Sequence, residues 1–266
     1  MSLQEIPQNH RENGLDLVVY RPELKVFNSP EEVDFFAASQ FIEVVQTNPA
    51  AAITCPTGST PIPMWGLLTE ANRQGYVDFS DTRFYNLDEY WPLPPGHPAS
   101  YAAYMRKHFV DRTDVQEAHW YIPNCAAPDP YEEAARYERV LRDAGGIDLA
   151  VLGLGPALTC HIGFNERPSF ADSRTRYVEL DPVTAAVNGQ FFTDPSEMPA
   201  GAITQGVGNI LEAIAIMVLV KGTGKAQGVA RSLLGPISED APAAFLRLRP
   251  NVTWVMDREA ASLLNE

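Results

Sequence analysis

The sequence predicts an α/β fold built on a mostly parallel sheet with helices on both faces. Three observations carry that expectation. Strand-like apolar runs alternate with helix-length segments along the chain, the pattern of repeated βα units. The runs over residues 147–154 and 214–221 are apolar nearly throughout rather than alternating, as strands buried on both faces are. Three runs end in Gly-rich or acidic turns, and open α/β sheets bind ligands beyond the carboxyl ends of their strands.

Residues 15–20 and 25–27 read as short strands. Ser29-Pro30-Glu31-Glu32 starts a helix that runs to about residue 47: Ser caps it, Pro fits the first turn, and the acids suit the positive end of the dipole. Residues 51–55 form a buried strand, and the turn 56–60 leads into a helix over 61–74. Residues 82–87 are the next strand. Ser100 caps a helix over 101–109, and Asp129 or Pro130 opens another that ends near residue 144. Gly145-Gly146 breaks it before the strand 147–154, apolar apart from Asp148. Residues 202–208 are a strand end or turn, followed by a short helix through Ala213. After the strand 214–221, residues 224–234 and 243–248 are helical, 252–256 form a final strand, and 258–265 a terminal helix. No composition shift marks a linker, so residues 1–266 read as one domain.

The net charge of −14 and pI near 4.8 argue against nucleic acid or an anionic membrane as partner. A phosphorylated substrate needs a local positive site set against that field. Cys55, Cys125 and Cys160 give neither a disulfide framework nor a zinc signature. Free thiols fit a reducing cytoplasm. No apolar run approaches the ~20 residues a membrane helix requires.

The stretch Arg83-Phe84-Tyr85-Asn86-Leu87-Asp88-Glu89-Tyr90, followed by His97-Pro98-Ala99-Ser100-Tyr101, sets two carboxylates at the end of a buried strand. Partial burial behind Leu87 raises a carboxyl toward the range of a useful base, which makes Asp88 the candidate. Glu89 either joins the substrate contacts or points away and braces a loop. Thr57-Gly58-Ser59-Thr60 follows a strand and opens a helix. Its free N–H groups, the helix dipole and three hydroxyls favour an anion, although a well-capped helix start has the same signature. Lys225 also opens a helix, where a cation meets an unfavourable dipole unless an anion is near; it is a second anion ligand or a solvated lysine. Gly153-Leu154-Gly155-Pro156 leads to His161-Ile162-Gly163-Phe164-Asn165-Glu166. A carboxylate beside a His fixes one tautomer and equips it as a proton shuttle. Neither a Ser/His/Asp arrangement nor metal-ligand spacing stands out.

Together with Ser173-Arg174-Thr175-Arg176, the stretch from Ile203 to Ala213, and Pro242-Ala243-Ala244-Phe245-Leu246, these segments resemble the glucosamine-6-phosphate deaminase (isomerase) family. Its wider superfamily includes the 6-phosphogluconolactonases. The likeness spans residues 51–257 in the family's order, and the Asp-Glu-Tyr and His-Ile-Gly-Phe-Asn-Glu stretches favour the deaminase branch. The resemblance implies a Rossmann-like three-layer α/β/α sandwich. It implies conversion of glucosamine 6-phosphate to fructose 6-phosphate and ammonia, an activity grouped with both hydrolases and isomerases, with no cofactor and no metal. By the same likeness Asp88 moves a proton between C2 and C1, and His161 opens the pyranose ring, with Glu166 orienting or charging it. Thr57, Gly58, Ser59, Thr60 and Lys225 hold the phosphate, and Glu89 belongs to the substrate-binding set. The implied partner is a small-molecule sugar phosphate; a homo-oligomer is left open and the location implied is cytoplasmic.

Two stretches depart from the family. Ala157-Leu158-Thr159-Cys160 before His161 is longer than the usual Asp-Gly or Asn-Gly, and Gln190 stands where Arg usually precedes two aromatics. The segment 242–248 is also similar to galactosamine-6-phosphate isomerases, so galactosamine 6-phosphate stays open as substrate, and a sugar-phosphate lactonase and a non-catalytic sugar-phosphate binder stay open beside it.

Overall fold

The computed structural model describes residues 8–12 and 15–264. β1 (Gln8–Glu12) and β2 (Leu15–Val19) pair as an antiparallel hairpin. β3 (Glu23–Phe27) leads into α1 (Pro30–Thr47), where the Ser29 side chain accepts from the Glu32 N–H. β4 (Ala52–Cys55), α2 (Ile62–Arg73) and β5 (Arg83–Asn86) repeat the unit. Then come β6 (Asp88–Trp91), α3 (Tyr101–His108), β7 (Trp120–Tyr121), α4 (Pro130–Asp143) and β8 (Leu149–Gly153). The remainder is β9 (Arg176–Glu179), α5 (Pro182–Asn188), β10 (Gly201–Thr204), α6 (Val207–Leu211), β11 (Ala215–Val220), α7 (Ala226–Leu234) and β12 (Val252–Asp257).

Seven strands form the main sheet in the order β3-β12-β11-β8-β4-β5-β7, every pair parallel. Alternate residues of a strand face opposite sides, and here both sides are apolar. Along β8, Ala150 and Leu152 pack with Tyr137, Leu141 and Val229, whereas Leu149 and Val151 pack with Phe41, Trp65 and Leu68. Met217 and Leu219 of β11 part from Val218 and Val220 in the same way. The expected three-layer sandwich forms because each central strand feeds two cores. Each large side chain so buried contributes about 1.5–3 kcal/mol.

The chain leaves this sheet at Leu87. The Leu87 N–H still bonds the Cys55 carbonyl at 3.1 Å, and the next residue begins β6 in a second sheet. That sheet has the order β6-β10-β9, all antiparallel, over a small core of Tyr90, Leu93, Phe164, Leu180, Phe192 and Ala202. Asp88 and Glu89 are thus strand residues, not the acidic turn closing the strand 82–87. The helical stretch expected over 243–248 forms, and one further expectation, the terminal helix, is corrected. Residues 243–248 lie in a 3-10 segment, Pro242–Leu248, with the Ala243 N–H bonded to the Cys160 carbonyl. Residues 258–264 form turns rather than a helix; the Asp257 carboxylate is shared between the N–H groups of Ala260 and Gly222. Asn265 lies outside the described residues. No helix among the described residues is long and apolar enough to cross a membrane.

Candidate active site

One cleft opens at the carboxyl ends of β4, β5 and β8 and gathers side chains from all three. Thr57, Gly58, Ser59 and Thr60 form one wall, and Asp88, His161 and Lys225 line the same space. Four segments far apart in sequence therefore converge, as parallel strands with aligned ends require.

The Thr57–Thr60 wall is set by backbone geometry. Gly58 has φ +86°, a conformation costly for other residues, and Tyr104 Oη donates to its carbonyl at 2.7 Å. Helix α2 then starts at Pro61 with no side-chain cap. Pro61 and Pro63 carry no N–H and the Ile62 N–H bonds the Ser59 carbonyl at 3.4 Å, so the donors on offer to an anion are those of the turn residues Gly58, Ser59 and Thr60, which line the cleft. Lys225 caps the start of α7, and its Nζ donates to the Leu154 carbonyl at 2.6 Å. Burial pulls the Lys225 pKa down; an anion in the cleft would restore the charged form.

Asp88 and Glu89 are neighbours with different surroundings, because strand residues alternate sides. Asp88 turns into the cleft, 5% exposed. Burial raises its carboxyl well above the ordinary range, and the Glu89 charge adds to the rise. Glu89 does not line the cleft. Its oxygens accept the N–H groups of Tyr90 at 2.9 Å, Tyr101 at 2.8 Å and Ala102 at 2.8 Å. Burial lifts Glu89 to about 7 although these bonds oppose the rise. The substrate contact expected for Glu89 is thereby corrected: both oxygens are spent anchoring the start of α3.

His161 lies 9% exposed on the opposite wall. Its Nδ1 is 3.2 Å from Glu166 Oε2 and 3.1 Å from Thr159 Oγ1. The longer loop before it still delivers the ring to the cleft. Cys160 takes φ +47° there, and Gly155 packs so closely on the imidazole that a Cβ would collide with it. Glu166 stands behind the ring and does not line the cleft; its Oε1 is buried without a partner. The α5 segment overhangs the opening through Val187, Asn188, Gln190 and Phe191. The Gln190 amide donates to the Val187 carbonyl at 2.7 Å. Of these residues Gln190 and Phe191 stood in the stretch that departs from the family and Tyr101 ended the His97–Tyr101 stretch, whereas Val187 and Asn188 carried no sequence signal of a cleft. Among the described residues no group of three or more His, Cys, Asp and Glu is arranged to hold a metal.

An α/β/α sandwich with an anion-favouring helix start, a buried carboxylate and a His–Glu pair in one cleft defines a ligand-converting site of the Rossmann-like class. The family model described as glucosamine-6-phosphate isomerases/6-phosphogluconolactonase matches residues 32–254. The chain belongs to that family. It is 40% identical to the glucosamine-6-phosphate deaminase of Rhodopirellula baltica over 92% of this chain and 96% of that one. It is 43% identical to the glucosamine-6-phosphate deaminase of Hahella chejuensis over 90% of each chain. A solved structure described as a monomeric glucosamine-6-phosphate deaminase superposes with TM-score 0.87 at 35% identity, over 91% of this chain and 99% of that one. The 6-phosphogluconolactonase of Trypanosoma cruzi superposes with TM-score 0.76 at 20% identity, over 94% of this chain and 99% of that one, and so shares the fold. One expectation is corrected here: the relatives are named deaminases, and those names do not support a hydrolase.

Proposed function

We propose that this protein converts glucosamine 6-phosphate to fructose 6-phosphate and ammonia. The observation that carries the reading is the meeting of Asp88, His161, the Thr57–Thr60 turn and Lys225 in one cleft. The deaminase relatives at 40% and 43% identity support it. In this reading the phosphate binds the N–H groups of the Gly58–Thr60 turn that leads into α2 and the Lys225 ammonium. The sugar then lies between Asp88 and His161.

His161, held at Nδ1 by Glu166, uses its other nitrogen to carry the proton of the C1 hydroxyl to the ring oxygen, so that the bond from C1 to the ring oxygen breaks as the C1 carbonyl forms. The C1 carbonyl and the C2 nitrogen make the C2 proton labile. Asp88 takes that proton, and the substrate ammonium gives one of its own to the C1 oxygen. Asp88 then returns its proton to C1, which leaves a hydroxyl at C1 and a protonated imine at C2. The buried setting of Asp88 suits the task, because a raised carboxyl holds the proton between the two steps. The product imine at C2 exchanges its nitrogen for the oxygen of water, and ammonia leaves.

The test is ammonia release from glucosamine 6-phosphate, with galactosamine 6-phosphate and a sugar-phosphate lactone beside it. Release from the glucosamine ester is expected. Release from the galactosamine epimer alone overturns the choice of substrate; no ammonia from either ester overturns the reaction. We also propose that the chain works as one domain in the cytoplasm. The interleaving of early and late strands in the main sheet supports the first point, and three unpaired cysteines support the second. The solved relative described as monomeric favours a monomer over the homo-oligomer left open above.

A further inference from the structure

The small sheet carries one cross-strand row that links the base to the His161 loop. Thr204 of β10 pairs with Asp88 on one side and with Arg176 on the other. Directly paired residues of antiparallel strands share a face, so all three side chains stand on the same side. The loop from Ile162 to Ser169 lies on that side. Thr204 Oγ1 accepts the Phe164 N–H at 3.0 Å. Arg176 Nη1 donates to Asn165 Oδ1 at 2.9 Å, and Nη2 donates to Ser169 Oγ at 2.8 Å. Asn165 Nδ2 in turn donates to the carbonyls of Ile162 and Gln205, each at 2.8 Å. The Ser169 hydroxyl donates to the Glu166 carbonyl. At Gly163, with φ +55°, a Cβ would stand 2.9 Å from Thr204 Oγ1 and 3.4 Å from Asp88 Oδ2. The loop is thus pressed onto the row at its start, middle and end.

We propose that Arg176 and Thr204 are positioning residues that register the His161–Glu166 pair against Asp88. Neither lines the cleft. The half-buried Arg176 guanidinium is spent on neutral oxygens of this loop and of Arg174, and burial lowers its pKa. An arginine held in that way is kept for its shape: its planar fork reaches two acceptors at once, which a lysine cannot do. Proton transfer between groups on separate segments demands alignment to a fraction of an ångström. A shared sheet row supplies it, because base and clamp belong to one hydrogen-bonded frame.

The inference rests on the deaminase reading for its catalytic consequence but not for the clamp itself, so the test has two arms. In the first, hydrogen exchange is followed in the wild type, in Arg176→Lys and in the milder Ser169→Ala. Exchange over residues 162–169 is expected to quicken roughly tenfold in both variants while β8 and β11 stay protected. Unchanged exchange in this loop overturns the clamp. In the second arm kcat is expected to fall roughly tenfold in Arg176→Lys with KM within about twofold, since the phosphate contacts are untouched. The double variant should lose no more than Arg176→Lys alone, because both changes act through one clamp. A quickened loop with wild-type kcat, or a loss that appears in KM alone, overturns the positioning role. If the wild type releases no ammonia, the activity assignment fails while the exchange arm still decides the clamp.

Discussion

Replacing Gly155 by alanine is a sharp probe of the site, because Gly155 lies directly against the His161 ring. The added Cβ would stand 2.5 Å from His161 Nε2 and 2.6 Å from Cγ. The ring's Cδ2 stands closer still, and ordinary van der Waals contacts begin near 3.4 Å, so the ring must retreat by about 1 Å. The ring has little room behind it, with Nδ1 already 3.2 Å from Glu166 and 3.1 Å from Thr159. Overpacking of this kind costs about 1–3 kcal/mol, and a 1 Å misplacement of a reacting group costs on the order of 10²-fold in rate. Gly155→Ala should therefore lower kcat for ammonia release about a hundredfold. KM should hold near the wild-type value, because the Thr57–Thr60 turn and Lys225 are not displaced. Gly66→Ala is the control. Gly66 lies exposed in α2 with nothing within 4 Å of an added Cβ, so activity should stay and stability should rise by roughly 0.5–1 kcal/mol. Steady-state ammonia assays with saturating glucosamine 6-phosphate give both constants. A Gly155→Ala enzyme with kcat within twofold of wild type would refute the argument that His161 works from this position.

Asp88→Asn keeps the shape and removes the base, so kcat should drop by about 10²–10⁴-fold; full activity would remove Asp88 from the mechanism. Lys225→Met should raise KM for the sugar phosphate far more than it lowers kcat, and in the wild type KM should climb as pH rises through the lowered Lys225 pKa, where the ammonium is lost. Stability should depend on pH through Glu89. Between its ordinary value of 4.5 and about 7 the folded protein keeps a proton that the unfolded chain has released, so stability falls as pH rises through that window. Glu89→Gln should flatten that part of a plot of urea midpoint against pH, and an unaltered slope would count against the assignment. Lys221 Nζ contacts both oxygens of the buried Asp34, at 2.7 and 2.8 Å. Lys221→Met should cost about 3–5 kcal/mol by stranding the carboxylate, and the double change with Asp34→Leu should recover most of it in thermal melts.

The main sheet was legible because its strands are continuous apolar runs, and residues 147–154 and 214–221 lie where β8 and β11 form. Capping residues marked α1, α3 and α4 correctly for the same local reason: Ser29, Ser100 and Asp129 each accept a first-turn N–H. Of the small sheet only β10 left a trace, in the strand end read at 202–208. Arg176-Tyr177-Val178-Glu179 has no apolar run, and its residues are half-buried or exposed; it becomes a strand only because β10 offers an edge. The candidate residues Asp88, His161 and Lys225 were found because each follows a strand that ends in the same plane. Glu89 was misassigned because a sequence does not reveal which of two adjacent carboxylates meets the cleft. Thr204 and Arg176 stood in recognised stretches, but their roles depend on cross-strand register, which no local pattern encodes.

The way His161 is held shows where this chain tolerates changes of length. The Gly155 N–H donates to the His161 carbonyl at 2.9 Å, so the segment between them is a closed loop with fixed ends. Residues gained or lost near the exposed Leu158 alter the loop's bulge, while the buried Thr159 and Cys160 stay packed beside the ring. Strand β6 has no such freedom. One residue inserted between Leu87 and Asp88 would exchange the two faces of the strand, turning the brace into the cleft and the base against α3. Variation in this lineage should accordingly accumulate as insertions near Leu158 and as point substitutions, but never as a frame slip, at 87–91.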